Sequence, residues 1–282
     1  MKVIDMFTEE AFKEEYAKIQ FFFNQTFGLR LAEEVNITSK RKLQLLFKND
    51  TKFNPYEYLV KYNTNNSNQK VFSIISIFTN NHTKFLREKL QFDFLRKEII
   101  PSILDSKSFK GGENLHIWSA ASSSGEEPYS ISMTLNEAMG QSLLSDRVKI
   151  LATDIDVEAL KIGKKGIYQK DKVQMQIPPS HLKYFKDFDV KLLQIDEKIK
   201  NSVLFKWLNL NADVYPMTNK FHIIFCRNLL IYFSENSRLK LIKNLINCLH
   251  PGGYLFLGLT ENIGFENQSL LSLGSSIYQK KW

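Results

Sequence analysis

Short apolar segments alternate with amphipathic ones from residue 111 to the end of the chain, and this alternation constrains the fold more than any other feature. Segments that predict strands are NLHIWSA, RVKILATD, FHIIFC and YLFLGL, and a last strand is predicted near SSIYQKKW. Between them, EEPYSISMTLNEAMG, VEALKIGKKG and SRLKLIKNLINCL have the helical spacing of apolar residues. Strands that alternate with helices form a parallel sheet covered on both faces. The sequence therefore predicts a Rossmann-like α/β sheet with a ligand site beyond the carboxyl ends of its strands.

The rest of the chain predicts two further parts. Residues 1–77 contain the helical patterns FTEEAFKEEYAKIQFFF, TSKRKLQLLFKND and PYEYLVKY, which predict a small all-α domain. Residues 78–110 predict a linker helix, in which helical spacing begins after Thr83. Residues 111–282 contain the sheet domain.

A small antiparallel appendage is predicted within the sheet domain, at about 189–207. The prediction rests on the alternation of Val203, Phe205 and Trp207, which is typical of a strand with one buried face. The turn residues HPGG predict a tight turn just before the strand YLFLGL.

The segment WSAASSSGEEPYS (residues 118–130) predicts the passage from the first strand to its helix. Its small residues let a ligand approach the backbone, but one glycine is far from a dinucleotide fingerprint. Glu126 and Glu127 would repel a phosphate at this helix start. Pro128 and both glutamates also suit the first helical turn, so helix capping alone is an equally good explanation of this segment.

Asp154 favours a ligand over simple capping. It ends the predicted strand RVKILATD, where a carboxylate can accept hydrogen bonds from both hydroxyls of a ribose. Asp156 is better explained as the N-cap of the next helix. A ligand that carries a ribose and positive charge but no phosphate fits an acidic loop, and S-adenosylmethionine has these features.

The third strand ends in FHIIFCRNLLIYF, where Arg227 and Asn228 emerge directly from an apolar run. The end of a central strand is where reacting groups lie in such folds. Tyr232 follows a few residues later. A purely structural ion pair of Arg227 remains an alternative, and Cys226 is interpreted as a small buried residue rather than a nucleophile.

Taken together, these segments resemble the CheR family of S-adenosylmethionine-dependent methyltransferases, which esterify glutamates of bacterial chemoreceptors. WSAASSSGEEPYS, ATDID, GIY, FCRNLLIYF and HPGGYLFLG occur in the family's order, and TNNHTKFLRE (residues 79–88) is similar to its TN-x-T-x-F-F-R-E signature. The resemblance covers nearly the whole chain and is weakest in the first 77 residues. It implies a class I methyltransferase sheet that uses S-adenosylmethionine and releases S-adenosylhomocysteine.

The resemblance also implies roles for individual residues. Glu127 would hold the methionine portion of the cofactor, Asp154 its ribose, and Asn209 and Leu210 its adenine. Arg87 and Tyr232 would be the catalytic residues that face the reaction centre. The positions that match the family's cofactor-binding residues are Asn81, Thr83, Arg87, Glu127, Asp154, Asn209, Leu210, Arg227 and Asn228.

Four segments depart from the family pattern. Leu86 replaces the second phenylalanine of the signature, and GLTEN (residues 258–262) replaces the usual Gly-His-Ser-Glu. TSKRKLQLLFKND keeps basic residues but lacks the arginine spacing of the family's receptor-facing helix. Family members that dock a receptor's terminal peptide on the small sheet have a longer, glycine-bearing loop there, whereas residues 183–206 contain no glycine. Binding of a tether pentapeptide is therefore not expected.

Composition limits the kinds of partner and the cellular compartment that we expect for this protein. Two cysteines without CxxC spacing suit a reducing compartment, and the sequence shows neither a signal-peptide pattern nor an apolar run of membrane-spanning length. The formal charge of +8 suits an acidic partner without choosing one. We expect a cytoplasmic monomer that acts on the cytoplasmic domains of chemoreceptors, with no nucleic-acid partner and no membrane insertion.

Two other functions compete with this interpretation. A non-catalytic module that binds S-adenosylmethionine or a receptor would not need Arg87, Asp154, Arg227, Asn228 and Tyr232 together. A nucleic-acid methyltransferase of amines would usually carry an Asn/Asp-Pro-Pro-aromatic run, which this sequence lacks. The histidines have no metal-ligand spacing in the sequence, which predicts no metal site.

Overall fold

The structure is a computed structural model that describes residues 9–48, 54–62, 68–79, 81–140, 144, 146–264 and 267–281. Its amino-terminal region is helical, as predicted, with α1 (Glu9–Phe27), α2 (Ile37–Leu46), α3 (Pro55–Tyr62) and α4 (Gln69–Phe78). No helix in these described ranges combines the length and apolar character that a bilayer crossing requires.

The amino-terminal helices enclose a hydrophobic core of their own. Phe12, Ile19 and Phe23 of α1 are buried at helical spacing and form one apolar stripe. This stripe packs against buried residues from the three following helices, among them Leu43, Leu59 and Ile74. Burial of these side chains, rather than helix propensity, holds the four helices together.

The linking helix begins later than the sequence predicts. Residues 83–88 form a loop with a turn at Phe85 and Leu86, and the helix starts at Lys89, because Glu88 has a left-handed φ of +61° that a helix cannot continue through. The signature residues therefore lie in a loop ahead of the helix. The helical stretch that follows consists of α5 (Lys89–Phe94), a π-helical turn (Leu95–Ile99), α6 (Ile100–Asp105) and α7 (Lys107–Lys110).

The described residues contain ten strands and five further helices. In chain order the strands are β1 (Leu115–Ser119), β2 (Val148–Asp154), β3 (Ile167–Gln169), β4 (Phe185–Asp187), β5 (Leu192–Ile195), β6 (Val203–Trp207), β7 (Phe221–Cys226), β8 (Leu249–Leu257), β9 (Leu270–Gly274) and β10 (Ile277–Lys280). The helices are α8 (Glu126–Met139), α9 (Val157–Lys165), α10 (Lys170–Gln176), α11 (Glu197–Asn201) and α12 (Glu235–Cys248). Two short 3₁₀ helices span Pro179–Tyr184 and Leu230–Tyr232.

Seven strands form the predicted Rossmann-like sheet, in the order β6-β2-β1-β7-β8-β10-β9. The first five strands in this order run parallel, and β10 pairs antiparallel with both β8 and β9. In β7, Ile223 belongs to the core on one face, whereas Ile224 and Cys226 belong to the core on the other. Burial on both faces explains why this strand is continuously apolar in the sequence.

A small antiparallel sheet is present, but its strands differ from the prediction. It consists of β3, β5 and β4 in that order, so it draws on residues before 189 and does not include 203–207. Strand β6, with Val203, Phe205 and Trp207, is instead the parallel edge strand of the large sheet beside β2. An edge strand with one covered face shows the same alternation as an appendage strand, so the pattern could not distinguish the two.

The predicted turn at HPGG was wrong, because these residues lie inside β8. Strand pairing runs from Phe221 opposite Leu249 to Ile223 opposite Tyr254, so the extra residues form a bulge. Gly252 takes a φ of +76° within this bulge, which explains why turn-type residues occur there.

Candidate active site

The carboxyl ends of β2, β1 and β7 lie side by side because these strands are neighbours in the sheet. The residues that follow them line a cavity of about 460 Å³, which the amino-terminal region covers from the other side. Eight of the residues singled out in the sequence line this cavity: Asn81, Thr83, Arg87, Glu127, Asp154, Arg227, Asn228 and Tyr232. Asn209 and Leu210 line an adjoining cavity of about 40 Å³.

Asp154 lies where the two cavities meet and lines both of them. Its Oδ2 accepts a hydrogen bond from the backbone N–H of Ser123 at 2.8 Å, and its Oδ1 accepts one from Asp156 at 2.9 Å. Burial raises the pKa of Asp154 to about 6. Each carboxylate oxygen has a second lone pair, so the group can still accept hydrogen bonds from a ligand that spans the two cavities.

Leu210 and Asn209, the two residues predicted to contact adenine, line the smaller cavity. Leu210 is apolar, and the Asn209 side chain is already hydrogen-bonded. Leu210 is buried in the core beside the sheet. The Asn209 amide donates to the carbonyl of Thr26 at 2.9 Å, and its oxygen accepts from the N–H of Asn211 at 2.9 Å. These bonds attach the segment after β6 to the end of α1, and a contact of Asn209 with adenine stays a prediction.

Glu126 and Glu127, which follow the loop between β1 and α8, have different surroundings. Glu126 accepts a hydrogen bond from the Ser124 hydroxyl at 2.7 Å and does not line the cavity. Glu127 lines the cavity and accepts from the Ser119 hydroxyl at 2.8 Å. Burial raises the pKa of both glutamates. Glu126 therefore lies in the first turn of α8 outside the cavity, whereas Glu127 belongs to the site.

Gly125 makes this loop possible. Its φ of +97° is unfavourable for other residues, and a Cβ would lie 2.9 Å from both the Cα of Gly163 and the hydroxyl oxygen of Tyr168. The close approach of these backbones sets the position at which α8 starts, and with it the position of Glu127.

Arg227 is a buried ion-pair partner and also lines the cavity. Its side chain is only 1% exposed; Nη2 lies 2.8 Å from Oε2 of Glu88, and Nη1 lies 3.2 Å from Oε2 of Glu127. Nη2 also donates to the carbonyl of Arg87, and the guanidinium lies over the ring of Phe92. The observed contacts of Arg227 are thus those of a structural ion pair, which was the alternative explanation of this residue from the sequence.

Glu88 is a site residue that the sequence did not single out. It accepts hydrogen bonds from the Nη2 and Nε of Arg227, from the Asn228 amide at 3.1 Å and from the backbone N–H of Leu259 at 3.3 Å. Burial opposes ionisation, but the hydrogen bonds from Arg227 and Asn228 outweigh it and hold the pKa of Glu88 below its ordinary value. Its position as the last residue of TNNHTKFLRE was the available signal.

Glu261 is a second carboxylate that sequence reasoning missed. It is buried and accepts backbone N–H groups from Asn228, Leu230 and Gly258, each at 2.7 Å. These bonds fix the turn after β7, in which Asn228 has a left-handed φ of +56°. The glutamate lies in GLTEN, the segment that departs from the family pattern in its neighbouring residues.

Asp156 has the predicted capping role and a second one. Its Oδ1 accepts from the N–H groups of Glu158 and Ala159 at the start of α9. Its Oδ2 accepts from the hydroxyl of Thr79 and the side-chain amide of Asn81. Asn81 therefore lines the cavity while its amide group is anchored to the cap.

The remaining predicted residues lie on the wall formed by the signature loop and the segment after β7. Arg87 donates from Nη1 to the carbonyl of His82 at 3.0 Å, and Thr83 lines the cavity nearby. The carbonyl of Tyr232 accepts the N–H of Arg30 at 2.6 Å, which fastens the segment 29–36 over the cavity. Arg87 and Tyr232 are thus in the same cavity as Glu127 and Asp154.

Comparison with known proteins gives consistent matches. Residues 81–278 match the family model described as CheR methyltransferase, SAM binding domain. The chemotaxis protein methyltransferase of Borreliella burgdorferi is 34% identical over 268 residues, which cover 95% of this chain and 94% of that protein. The chemotaxis protein methyltransferase of Escherichia coli is 33% identical over 231 residues, covering 81% of this chain and 76% of that protein.

These matches extend well beyond the segments that lie at the strand ends. The aligned region includes the signature loop, the acidic residues after β1 and β2, and the Arg-Asn pair after β7. The chain therefore belongs to the CheR methyltransferase family and has the fold of a class I S-adenosylmethionine-dependent methyltransferase.

Proposed function

We propose that this protein transfers a methyl group from S-adenosylmethionine to glutamate side chains of chemoreceptor cytoplasmic domains. The observation that carries the proposal is the shared cavity, in which Glu127 and Asp154 lie with Arg87 and Tyr232. Carboxylates suit a cationic nucleoside, whereas an arginine and a phenol suit an anionic acceptor. The family match supports the same activity, as does the similarity to chemotaxis protein methyltransferases.

The described residues fit S-adenosylmethionine as a ligand. Asp154 lines both cavities and has lone pairs left for a ligand at their junction, where a ribose would join adenine to methionine. Leu210 would face the adenine, and Glu127 would attract the ammonium group. When bound, S-adenosylmethionine supplies an electrophilic methyl group on a sulfonium sulfur.

The acceptor needs no general base in this reaction. A glutamate side chain has an ordinary pKa near 4.3 and is ionised at neutral pH. We assign Arg87 and Tyr232 to hold this carboxylate by hydrogen bonds so that one oxygen lines up with the methyl group. Alignment of this kind can contribute about 7 to 11 kcal/mol to the lowering of a barrier.

Exclusion of water from the cavity supports the same reaction. Opposite charges cancel as a methyl group moves from a sulfonium to a carboxylate, so water stabilises the reactants more than the transition state. The segment 29–36, fastened by the bond between Arg30 and Tyr232, covers the cavity and limits access of water. Arg87 then acts by positioning, since a strong ion pair would stabilise the acceptor as well as the transition state.

The amino-terminal helices are proposed to face the receptor. They form one wall of the cavity through Tyr16, Ser39 and Phe78, so an acceptor must pass them. Helix α2 also presents Lys40, Arg41 and Lys42 in sequence, and such charges favour an acidic protein surface.

The test is incubation of the purified protein with methyl-labelled S-adenosylmethionine and cytoplasmic receptor domains from the same organism. Base-labile label that maps to receptor glutamates is expected. Cofactor binding without any transfer would favour a non-catalytic module instead, and base-stable label on added RNA or DNA would favour a nucleic-acid methyltransferase.

The matched variant for this assay is Tyr232→Phe, which removes one hydroxyl from the wall of the cavity. We expect turnover to fall by roughly 10²-fold, the scale of losing one well-placed hydrogen-bond donor. Cofactor affinity measured by calorimetry should change less than threefold. Equal losses in both quantities would place Tyr232 in the cofactor pocket rather than at the acceptor.

A further inference from the structure

Three histidines form a row at the end of the sheet opposite the cofactor cavity. His116, His222 and His250 are each the second residue of their strands, β1, β7 and β8, and these strands are adjacent. The pairing of Phe221 with Leu249 places His222 beside His250. Their ring centroids are 4.5 Å apart, and those of His116 and His222 are 6.1 Å apart. Sequence spacing could not reveal this row because only the sheet brings the three strands together.

A carboxylate completes the cluster. Oε1 of Glu113, in the segment before β1, lies 3.4 Å from Nε2 of His222. One ligand atom each from Glu113, His222 and His250 lie within 4.8 Å of one another. All three residues line a cavity of about 340 Å³, which leaves room for a fourth ligand such as water.

We propose that Glu113, His222 and His250 form a binding site for a divalent transition-metal ion of the zinc type. Two imidazoles and one carboxylate with an open fourth position are a donor set that Zn²⁺ prefers, and hard cations such as Mg²⁺ do not. Tetrahedral Zn²⁺ with bonds near 2.0 Å has ligand atoms about 3.3 Å apart. The 3.4 Å between Glu113 and His222 already has this spacing, and the His250 ring needs a shift of up to about 1.5 Å (4.8 minus 3.3).

The surroundings of the two rings favour a metal over a proton. Burial lowers the pKa of both His222 and His250, so the rings are neutral and have a lone pair for a metal at neutral pH. The Lys220 ammonium is nearby and opposes a cation, whereas Glu113 attracts one.

One contact limits the affinity. Nδ1 of His222 accepts the backbone N–H of His116 at 3.2 Å, so the proton of the neutral ring is on Nε2. Metal binding at Nε2 moves this proton to Nδ1 and breaks the bond from His116. Loss of such an outer contact typically weakens metal binding by about 10- to 100-fold. We therefore expect a micromolar site rather than a tight structural one.

The site would act on stability rather than on catalysis. His222 lies near the start of β7 and Arg227 directly follows its end, five residues later (227 minus 222), which is about 16 Å along a strand. An ion bound at this distance contacts none of the residues that line the cofactor cavity. It would instead tie the segment before β1 to the starts of β7 and β8.

The experiment is calorimetric titration of the chelator-treated, full-length protein with ZnCl₂, and with MgCl₂ as the hard-cation control. We expect one saturable Zn²⁺ site with a micromolar Kd and a rise in Tm with Zn²⁺. His250→Ala and Glu113→Gln should each weaken binding at least tenfold. His181→Ala is the matched control, because His181 pairs with Glu137 at 3.6 Å and lies outside the cluster.

His250→Ala is preferred over a His222 variant because His222 also accepts the backbone N–H of His116, which its removal would leave without this acceptor. Circular dichroism tests whether the variant folds. Absence of saturable Zn²⁺ binding, or equal loss of binding in His181→Ala, would overturn the proposal. Neither cofactor nor receptor enters the titration, so its result is independent of the proposed methyl transfer.

Discussion

Arg227 and Glu88 form a buried ion pair, with 2.8 Å between Nη2 and Oε2, that joins the end of β7 to the signature loop. The side chains of Arg227 and Glu88 are 1% and 15% exposed, so neither charge is well solvated. Glu127 shares the same guanidinium at 3.2 Å. One arginine therefore fixes the relative positions of the signature loop and the acidic start of α8.

Removal of Glu88 should destabilise the protein strongly. Breaking one side of a buried ion pair typically costs about 3–5 kcal/mol, because the partner charge is left uncompensated. Arg227 keeps Glu127, so we expect Glu88→Ala to lower the free energy of unfolding by about 3 kcal/mol in urea denaturation. The exposed Glu98→Ala should change it by no more than about 0.5 kcal/mol. A similar, small loss in both variants would show that the ion pair contributes little.

The sequence pointed to Arg227, which follows a strand, as a site residue. It did not point to Glu88, the partner of Arg227 in the signature loop. Arg227 and Asp154 could be found because residues at the ends of parallel strands converge by the geometry of the sheet. The two partners of the pair are 139 residues apart in the chain, and the φ of +61° at Glu88 has no local sequence signal. Glu261 was missed for the same reason, since its acceptor role depends on the turn after β7.

The positions of strands along the chain were predictable, but the sheet to which a strand belongs was not always predictable. The alternation of Val203, Phe205 and Trp207 predicted a strand correctly, yet the strand pairs with β2 and not with the appendage. Pairing between strands distant in sequence is fixed by packing of the helices on the sheet, which a local pattern does not contain. The bulge at HPGG is a further case, because Gly and Pro serve bulges as well as turns.

Cofactor binding should weaken as the pH falls through 6. In the proposed complex the ribose hydroxyls donate to an ionised Asp154, whereas burial raises the pKa of this carboxyl to about 6 in the empty protein. Protons and cofactor therefore compete below this pH, and affinity for S-adenosylmethionine is retained above it. Calorimetry is expected to show a Kd that rises toward about tenfold per pH unit between pH 6 and 5.

Asp154→Asn tests whether this dependence belongs to Asp154. Its affinity at pH 7.5 should be at least tenfold weaker, with a flatter pH profile. The buried Glu127 also has a raised pKa, so a residual slope is expected in the variant. Asp171→Asn, at an exposed position, is the control and should behave as the wild type. An unchanged affinity in Asp154→Asn would refute its assignment to the ribose.

Gly163 should be intolerant of a side chain, although it lies in helix α9. Replacing glycine with alanine normally stabilises a helix interior by up to about 1 kcal/mol. Here an added Cβ would lie 2.6 Å from Cε1 of Phe205 and 3.2 Å from the carbonyl of Ser124. Overpacking of this kind typically costs about 1–3 kcal/mol, so we expect Gly163→Ala to be destabilising in urea denaturation.

A double-mutant cycle isolates the cause at Gly163. Phe205→Leu removes the ring atom that an alanine would strike, so the double variant should be more stable than the sum of the single changes predicts. Lys164→Ala, at the exposed neighbouring position, should have little effect. A strictly additive cycle would mean that the backbone contact with Ser124, and not the ring, sets the cost.

The small sheet should not bind the terminal pentapeptide of a receptor. The family resemblance implies that docking of such a tether requires a long, glycine-bearing loop between appendage strands, but here β4 and β5 are joined by residues 188–191 alone. The connection is closed by hydrogen bonds from the N–H groups of Phe188 and Asp189 to the carbonyl of Leu192, at 3.0 and 3.3 Å. Strand β4 is three residues long, so it offers a short edge for strand addition.

Titration with the pentapeptide of receptors from the same organism should show no more binding than a scrambled peptide. Receptor domains that lack these five residues should also be methylated at the same rate as intact ones. Saturable micromolar binding, or a drop in rate on truncation, would show instead that the appendage recruits the receptor through its tail.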